Sequence, residues 1–235
     1  MLNVTVINSS NKNGNTHHCV DVLIDKLANL IEINKEEFFL KKDFDKFCTG
    51  CMQCILKSKE SCPHYTELSP IIESMLSSDL LIFSSPVYVF DVSGSMKAFL
   101  DHTAYMWMLH RPEKNMFNKF AVGISSAAGG GIGHTNKTFK INFLFWGLER
   151  YETIGYRVLS KSKDDILNDP KLNKKLDKLS RKIYRWSTNK RKNPKILTRV
   201  LFNLVLKMQR GNTWGTVDAD YWKNNGWIDG KKPWN

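Results

Sequence analysis

Nowhere in its 235 residues does the chain hold an apolar run of the roughly 20 residues needed to span a bilayer. Its most apolar stretches, LLIFSSPVYVF and ILTRVLFNLVLKM, are too short. The opening MLNVTVINSS lacks the basic region and apolar core of a secretory signal, so a cytoplasmic location is expected. Internal repeats and low-complexity segments are also missing, which excludes solenoids and fibrous arrays. Catalytic signatures are equally sparse. There is no HExxH and no facing pair among the six histidines, and no GxSxG elbow, which argues against zinc proteases and α/β-hydrolases. GxGxxG and GxxxxGK[ST] are absent, so neither a dinucleotide pyrophosphate fingerprint nor a triphosphate loop is present.

Acidic residues are scarce in one segment. Residues 157–210 hold 17 Lys or Arg against 4 Asp, a net of +13, while the rest of the chain sums to −1. The plain reading is a solvated face on basic helices; the functional alternative is peripheral contact with an anionic surface. Nucleic acid is not expected as a partner, because no zinc-finger spacing or RNA-binding aromatic signature accompanies the charge.

With 42% apolar residues the chain can bury a core. LNVTVIN reads as a strand that enters a polar loop and then a helix over VDVLIDKLANLI, with Thr16 as a candidate N-cap. FFLKKDF reads as a second strand, LSPIIESMLSSD as a helix, DLLIFSSPVYVF as a buried strand and MKAFLDHTAYMWML as a helix. NKFAVGISSAAGGGIG repeats the strand-to-loop pattern before a helix around TFKINFLFWGLERY, and GYRVLS reads as the last strand. Apolar strands alternating with helices predict about five parallel strands covered on both faces, an α/β three-layer sandwich. Two units are expected: a domain over 1–160 and a basic helical C-terminal extension over 161–235. The extension's end holds four of the seven tryptophans, expected to pin an irregular tail onto the main domain or a second subunit.

Three Gly/Ser/Asn-rich loops fall at strand C-terminal ends, where open α/β sheets bind ligands: residues 8–16, 84–95 and 125–135. The first offers hydroxyls from Ser9, Ser10 and Thr16, amides from Asn11 and Asn15, and a close turn at Gly14, ahead of a helix N-terminus that favours an anion. A terminal phosphomonoester suits it. The second carries Pro86, Val87 and Tyr88, along which a flat ring system could lie. The third supplies the hydroxyls of Ser125 and Ser126, then Gly129 and Gly130, where a backbone can approach closely. One phosphate loop and two ring slots at adjacent strand ends are what flavin mononucleotide (FMN) needs.

INSSNKNGNT, the stretch Cys48–Cys62 and SSPVYVFDVSGSMKAFLDH together resemble the NAD(P)H-dependent FMN reductase and iron–sulfur flavoprotein group of the flavodoxin-like superfamily, over roughly residues 1–160. The resemblance implies a flavodoxin-like fold, FMN as cofactor, NAD(P)H as co-substrate and a homodimer. The family usually opens this loop with Gly-Ser-Pro-Arg; here Asn8-Ser9-Ser10-Asn11 stands instead, without the arginine. The activity implied is electron transfer from reduced nicotinamide through flavin to a quinone, flavin, nitro compound or protein acceptor, with no acid–base catalytic residue. Two alternatives stand beside it: a flavin electron-transfer protein, with or without an iron–sulfur cluster, that lacks nicotinamide turnover, and a nucleic-acid or membrane binding module that uses the basic segment 157–210.

Four of the five cysteines lie at Cys48, Cys51, Cys54 and Cys62. C-x2-C-x2-C is a compact soft-ligand array of the kind that holds a 4Fe–4S cluster. Free thiols lining the flavin pocket, zinc or a disulfide are the other readings, and the long final gap leaves them open. Cys19 is expected to be a buried hydrophobe. The histidines are expected in structural or solvent roles, His134 beside the third loop being the first exception to test.

Overall fold

The computed structural model describes residues 1–158, 162–189, 194–212 and 215–234. Along the chain run β1 (Leu2–Asn8), α1 (Asn15–Ala28), β2 (Ile33–Phe39), α2 (Leu40–Asp43), α3 (Gln53–Leu56), α4 (Tyr65–Ser77), β3 (Leu80–Tyr88), β4 (Asp91–Val92) and α5 (Gly94–His102). After these come β5 (Phe120–Ala127), α6 (Ile132–Phe145), β6 (Arg150–Arg157), α7 (Lys163–Asn168), α8 (Pro170–Thr188), α9 (Ile196–Arg210) and α10 (Thr216–Asn224). The parallel strands stand in the order β2-β1-β3-β5-β6, and β4 folds back antiparallel on the end of β3. This is the flavodoxin-like α/β/α sandwich.

Alternation along the central strands makes the two cores. Leu2, Val4 and Val6 of β1, Leu80 and Ile82 of β3, and Phe120, Val122 and Ile124 of β5 face α1, α7 and α8. Ile7, Leu81, Phe83 and Ala121 point the other way, against α4, α5 and α6. The edge strands behave differently. β2 (INKEEFF) and β6 (RYETIGYR) each pair with a single neighbour and are polar. That polarity displaces both strand readings. The second strand is Ile33–Phe39, and LKKD turns into a helix whose Asp43 carboxylate accepts the Phe39 N–H at 2.6 Å. The last strand begins at Arg150, ahead of GYRVLS, whose Leu159 and Ser160 lie outside the described residues.

Helix α8 falls inside the expected extension yet is a wall of the main core: Leu172, Leu176, Leu179, Ile183 and Trp186 all join the first cluster. A third cluster unites α9 and α10 with the segment after α5, through Met108, Phe117, Phe202, Val205, Leu206, Trp222 and Trp227. The tail tryptophans are therefore pinned by their rings onto the same chain, while Trp214 lies outside the described residues.

Candidate functional site

The carboxyl ends of β1 and β3 are locked together by polar side chains. Asn8 donates from its amide to Glu37 at 2.8 Å and accepts the Ser84 hydroxyl at 2.5 Å, which ties β2, β1 and β3 at one level. Burial pushes the Glu37 carboxyl up, but hydrogen bonds from His17, Lys35 and Asn8 outweigh it and bring its pKa down to about 2. Ser9 continues the lock, its N–H donating to the Ser84 carbonyl at 2.9 Å and its hydroxyl to the same oxygen at 3.1 Å. Across the switch point, the hydroxyls of Thr16 and Ser126 share a 2.5 Å hydrogen bond, and Tyr156 donates to the Asn15 carbonyl at 2.6 Å. The three predicted loops thus meet at one end of the sheet.

Their side chains are spent differently from the sequence reading. Thr16 is no N-cap: α1 starts at Asn15, and its N-cap is Gly14, which has no side chain to accept the first helical N–H groups. Ser125 donates inward to Asn136 at 2.8 Å, so neither it nor Ser126 turns a free hydroxyl outward. Asn11 is exposed and accepts Lys41 at 2.9 Å. Only Ser10 of this set is buried with no partner for its hydroxyl. It lies beside a cavity of about 500 Å³ lined also by Asn11, Lys12, Lys41 and Lys42 and by Glu37, Phe39 and Asp43. A buried hydroxyl in want of an acceptor stands at an uncapped helix N-terminus, and the three lysines of the cavity beside it are set against two carboxylates.

The second loop is a hairpin. Pro86 and Val87 are half-buried, Tyr88 is exposed, and Val89 and Phe90 form a two-residue turn with φ of 48° and 67°. That left-handed pair is the geometry Asn-Gly adopts freely and a β-branched valine does not. The close approach expected of the glycines is made to this hairpin: a Cβ at Gly131 (φ 92°) would fall 2.6 Å from Val87 Cγ1, and one at Gly130 would fall 3.0 Å from Phe90. Gly129 has open space around it. Asp91 anchors the hairpin to α6, accepting Thr138 at 2.8 Å and facing His134 at 3.4 Å.

The cysteines stand on a loop beside α5. Cys48 and Cys51 are exposed, Cys54 and Cys62 half-buried, and all four line one cavity of about 70 Å³ with His64 and His102. Left-handed Gly50 and Met52 turn the backbone between successive cysteines. Burial first, then the neighbouring Cys62, Cys48 and Cys51 thiols, pushes the Cys54 thiol up; hydrogen bonds from the Gln53 backbone and the Thr49 hydroxyl lower Cys51. A facing His pair, unseen in the sequence, stands at the wall: His102 Nδ1 donates to the Ala98 carbonyl at 2.7 Å, leaving its Nε2 to accept His64 Nδ1 at 2.9 Å.

Residues 2–148 match the family model described as NADPH-dependent FMN reductase. The chain belongs to this family. An iron–sulfur flavoprotein of Archaeoglobus fulgidus is 29% identical over 161 residues, 66% of this chain and 66% of that protein's length. An iron–sulfur flavoprotein of Clostridioides difficile is 28% identical over 215 residues, 87% of this chain and 89% of that protein. Among solved structures, the apo form of an NADH:FMN oxidoreductase aligns with a TM-score of 0.57 at 14% identity, over 80% of this chain and 90% of that one. An FMN-dependent NADH-azoreductase from Bacillus anthracis, in complex with FMN, also gives 0.57, at 12% identity over 80% and 100%. These two likenesses speak to the fold.

Within this FMN reductase fold, two groups that sequence reasoning passed over support the cysteine loop. Arg111 donates to the carbonyls of Cys54 and of Ile55, the latter at 2.9 Å, at the end of the short helix that carries Cys54. Asp218 of α10 holds that guanidinium at 2.6 Å and His110 at 2.7 Å. Arg111 and Asp218 stand 107 residues apart, so no local pattern could have paired them.

Proposed function

We propose that the protein is an FMN-dependent NAD(P)H oxidoreductase carrying a 4Fe–4S cluster on Cys48, Cys51, Cys54 and Cys62. The observation that carries the flavin half is the meeting of three strand-end loops at one end of the sheet, with Ser10, a buried hydroxyl without a partner, at an uncapped helix N-terminus of the first. Ser10, Asn11, Asn15, Thr16 and the first backbone N–H groups of α1 would hold the phosphate, in place of the missing arginine. Thr16 would act by backbone and by position, since its hydroxyl is engaged with Ser126. Pro86, Val87 and Tyr88 would line the ring on one side, and the main chain from Ser125 and Ser126 to Gly129 and Gly130 on the other. Flavin, when bound, supplies hydride acceptance from reduced nicotinamide and onward electron transfer. The chain's own contribution is to bind, to orient and, through the hairpin packed on Gly130 and Gly131, to fence the ring edge from water.

The cysteine half rests on four thiols that line one cavity and act on one another electrostatically, together with the names of two relatives. Soft thiolates at this spacing suit iron–sulfur chemistry, and the cluster would offer a one-electron exit from the flavin. The acceptor would be a quinone, flavin, nitro compound or protein, and a homodimer is the expected assembly. Anaerobic purification tests both halves. The expected result is one flavin per chain, with about four iron and four sulfide lost on Cys51→Ser. Either NADH or NADPH should bleach the flavin. A chain that fails to take up FMN would overturn the flavin reading. Iron near zero with full flavin occupancy would overturn the cluster alone. Flavin reduced by a protein donor but by neither nucleotide would turn the enzyme into a carrier.

A further inference from the structure

Helix α9 is apolar on two sides. Phe202, Val205 and Leu206 are buried in the third cluster against Met108, Phe117 and Trp222, with Thr198 and Gln209 on the same face. Facing outward are Ile196, Leu197, Val200, Leu204 and Met208, exposed by 77, 58, 48, 55 and 63%. At about 100° per residue these five fall on one arc of roughly 120°, distinct from the buried arc. Single exposed leucines are ordinary; five large apolar side chains aligned along one helix are not.

One border of that stripe is cationic. Arg199 and Arg210 lie along it, Lys207 falls between Ile196 and Val200 at the same side of the stripe, and Lys232 reaches the border by donating to Asn203 at 2.9 Å. Arg210 and Lys232 are close enough that, after burial, the arginine's charge helps lower the lysine's pKa. The helix, ILTRVLFNLVLKMQR, contains no acidic residue, and among the described residues no acidic side chain pairs with Arg199 or Lys207.

The occupant must satisfy both features. A nucleic acid would take the cations, but none of the five exposed side chains is an aromatic platform for a base. A second copy laid along this helix would set like charges against each other. An anionic lipid surface takes both: the apolar stripe enters the boundary between headgroups and acyl chains, and the lysines and arginines reach the phosphates. We infer that α9 docks the protein on the surface of an anionic bilayer, lying in the plane of the interface. The association is peripheral, since among the described residues no helix is long and apolar enough to cross a membrane.

The full-length, FMN-loaded protein is sedimented with vesicles of phosphatidylcholine alone and of phosphatidylcholine with phosphatidylglycerol at about 2:1. It should bind the anionic vesicles and largely ignore the neutral ones, with binding weakened as salt rises to about 0.5 M. The double variant L204S/M208S should lower partitioning by about tenfold or more, and Arg199→Gln or Lys207→Gln by about fivefold each. These side chains are exposed, so flavin content and melting temperature should stay at parental values and report an intact fold. Three outcomes would overturn the inference. The first is no sedimentation with anionic vesicles, and the second is a double-serine variant that binds as well as the parent. The third is a change of oligomeric state in that variant without any vesicle binding by the parent, which would assign the stripe to a second copy.

Discussion

At the scale of single residues, Ser10 and Glu37 carry opposite lessons. The position of Ser10, a hydroxyl between a strand and a helix N-terminus, was legible; that its oxygen lies buried and unpartnered was not. An unsatisfied buried polar atom costs about 1–3 kcal/mol, and a ligand acceptor removes that cost. Ser10→Ala should therefore raise the melting temperature of the flavin-free protein while weakening FMN by about five- to thirtyfold. Flavin titration and thermal melts check both signs; an FMN affinity equal to the parent's would remove Ser10 from the site. Glu37 was not legible. It sits on a polar edge strand, and its partners His17 and Asn8 come from α1 and β1. Its carboxyl falls from an ordinary 4.5 to about 2, so its contribution to stability is complete above about pH 5 and is lost as pH falls toward 2. Glu37→Gln should flatten that part of the stability–pH curve. At pH 7 it should cost on the order of 2 kcal/mol, after discounting for solvent around a half-buried group, as read by urea unfolding at several pH values.

At the scale of elements, the central strands were readable because two covered faces demand apolar residues at every position, whereas the edge strands were shifted because one neighbour leaves them polar. The β3–β4 turn escaped for a different reason: nothing in Tyr-Val-Phe-Asp announces two left-handed residues. Val89 is 97% exposed and Phe90 71%, so neither is held there by burial in a core. The strain is local and removable. Val89→Asn with Phe90→Gly should stabilise the protein by about 1 kcal/mol or more, measured as a shift of the urea midpoint. A destabilised double variant would mean that the packing of Phe90 on Gly130 outweighs the backbone cost. The Arg111–Asp218 pair is an element-scale device as well, because it fastens α10 to the helix that carries Cys54. Asp218→Asn keeps the volume but leaves a buried guanidinium without its counter-charge. It should cost about 3 kcal/mol in stability and lower iron retention in air more than flavin content. Equal losses of iron and flavin would mean that the pair supports the whole fold and has no special bearing on the cysteine loop.

At the scale of the whole molecule, charge and chain position suggest an extension starting near residue 161, and α8, inside that stretch, packs on the sheet. Composition could not reveal this, because α8 is both strongly basic and the cover of a sheet face. Its lysines and arginines face solvent, while Leu172, Leu176, Leu179, Ile183 and Trp186 face the core. Burying five such side chains stabilises by about 1.5–3 kcal/mol each, roughly 10 kcal/mol in all, which is comparable to the entire stability of an ordinary domain. A chain ending at residue 160 should therefore fail to fold, collecting in the insoluble fraction. A chain ending at Asn189 keeps both sheet cores and loses the third cluster, baring Met108 and Phe117 and removing Asp218. It should remain able to bind FMN, because it keeps the three strand-end loops and the hydrogen bonds that join them to one another and to β6, but with Arg111 unpaired it should hold little iron. Flavin absorbance and iron content of the two truncations separate the possibilities. A soluble, yellow 1–160 fragment would restore the boundary that charge alone suggests. A 1–189 fragment with full iron would show that the cysteine loop stands without α10.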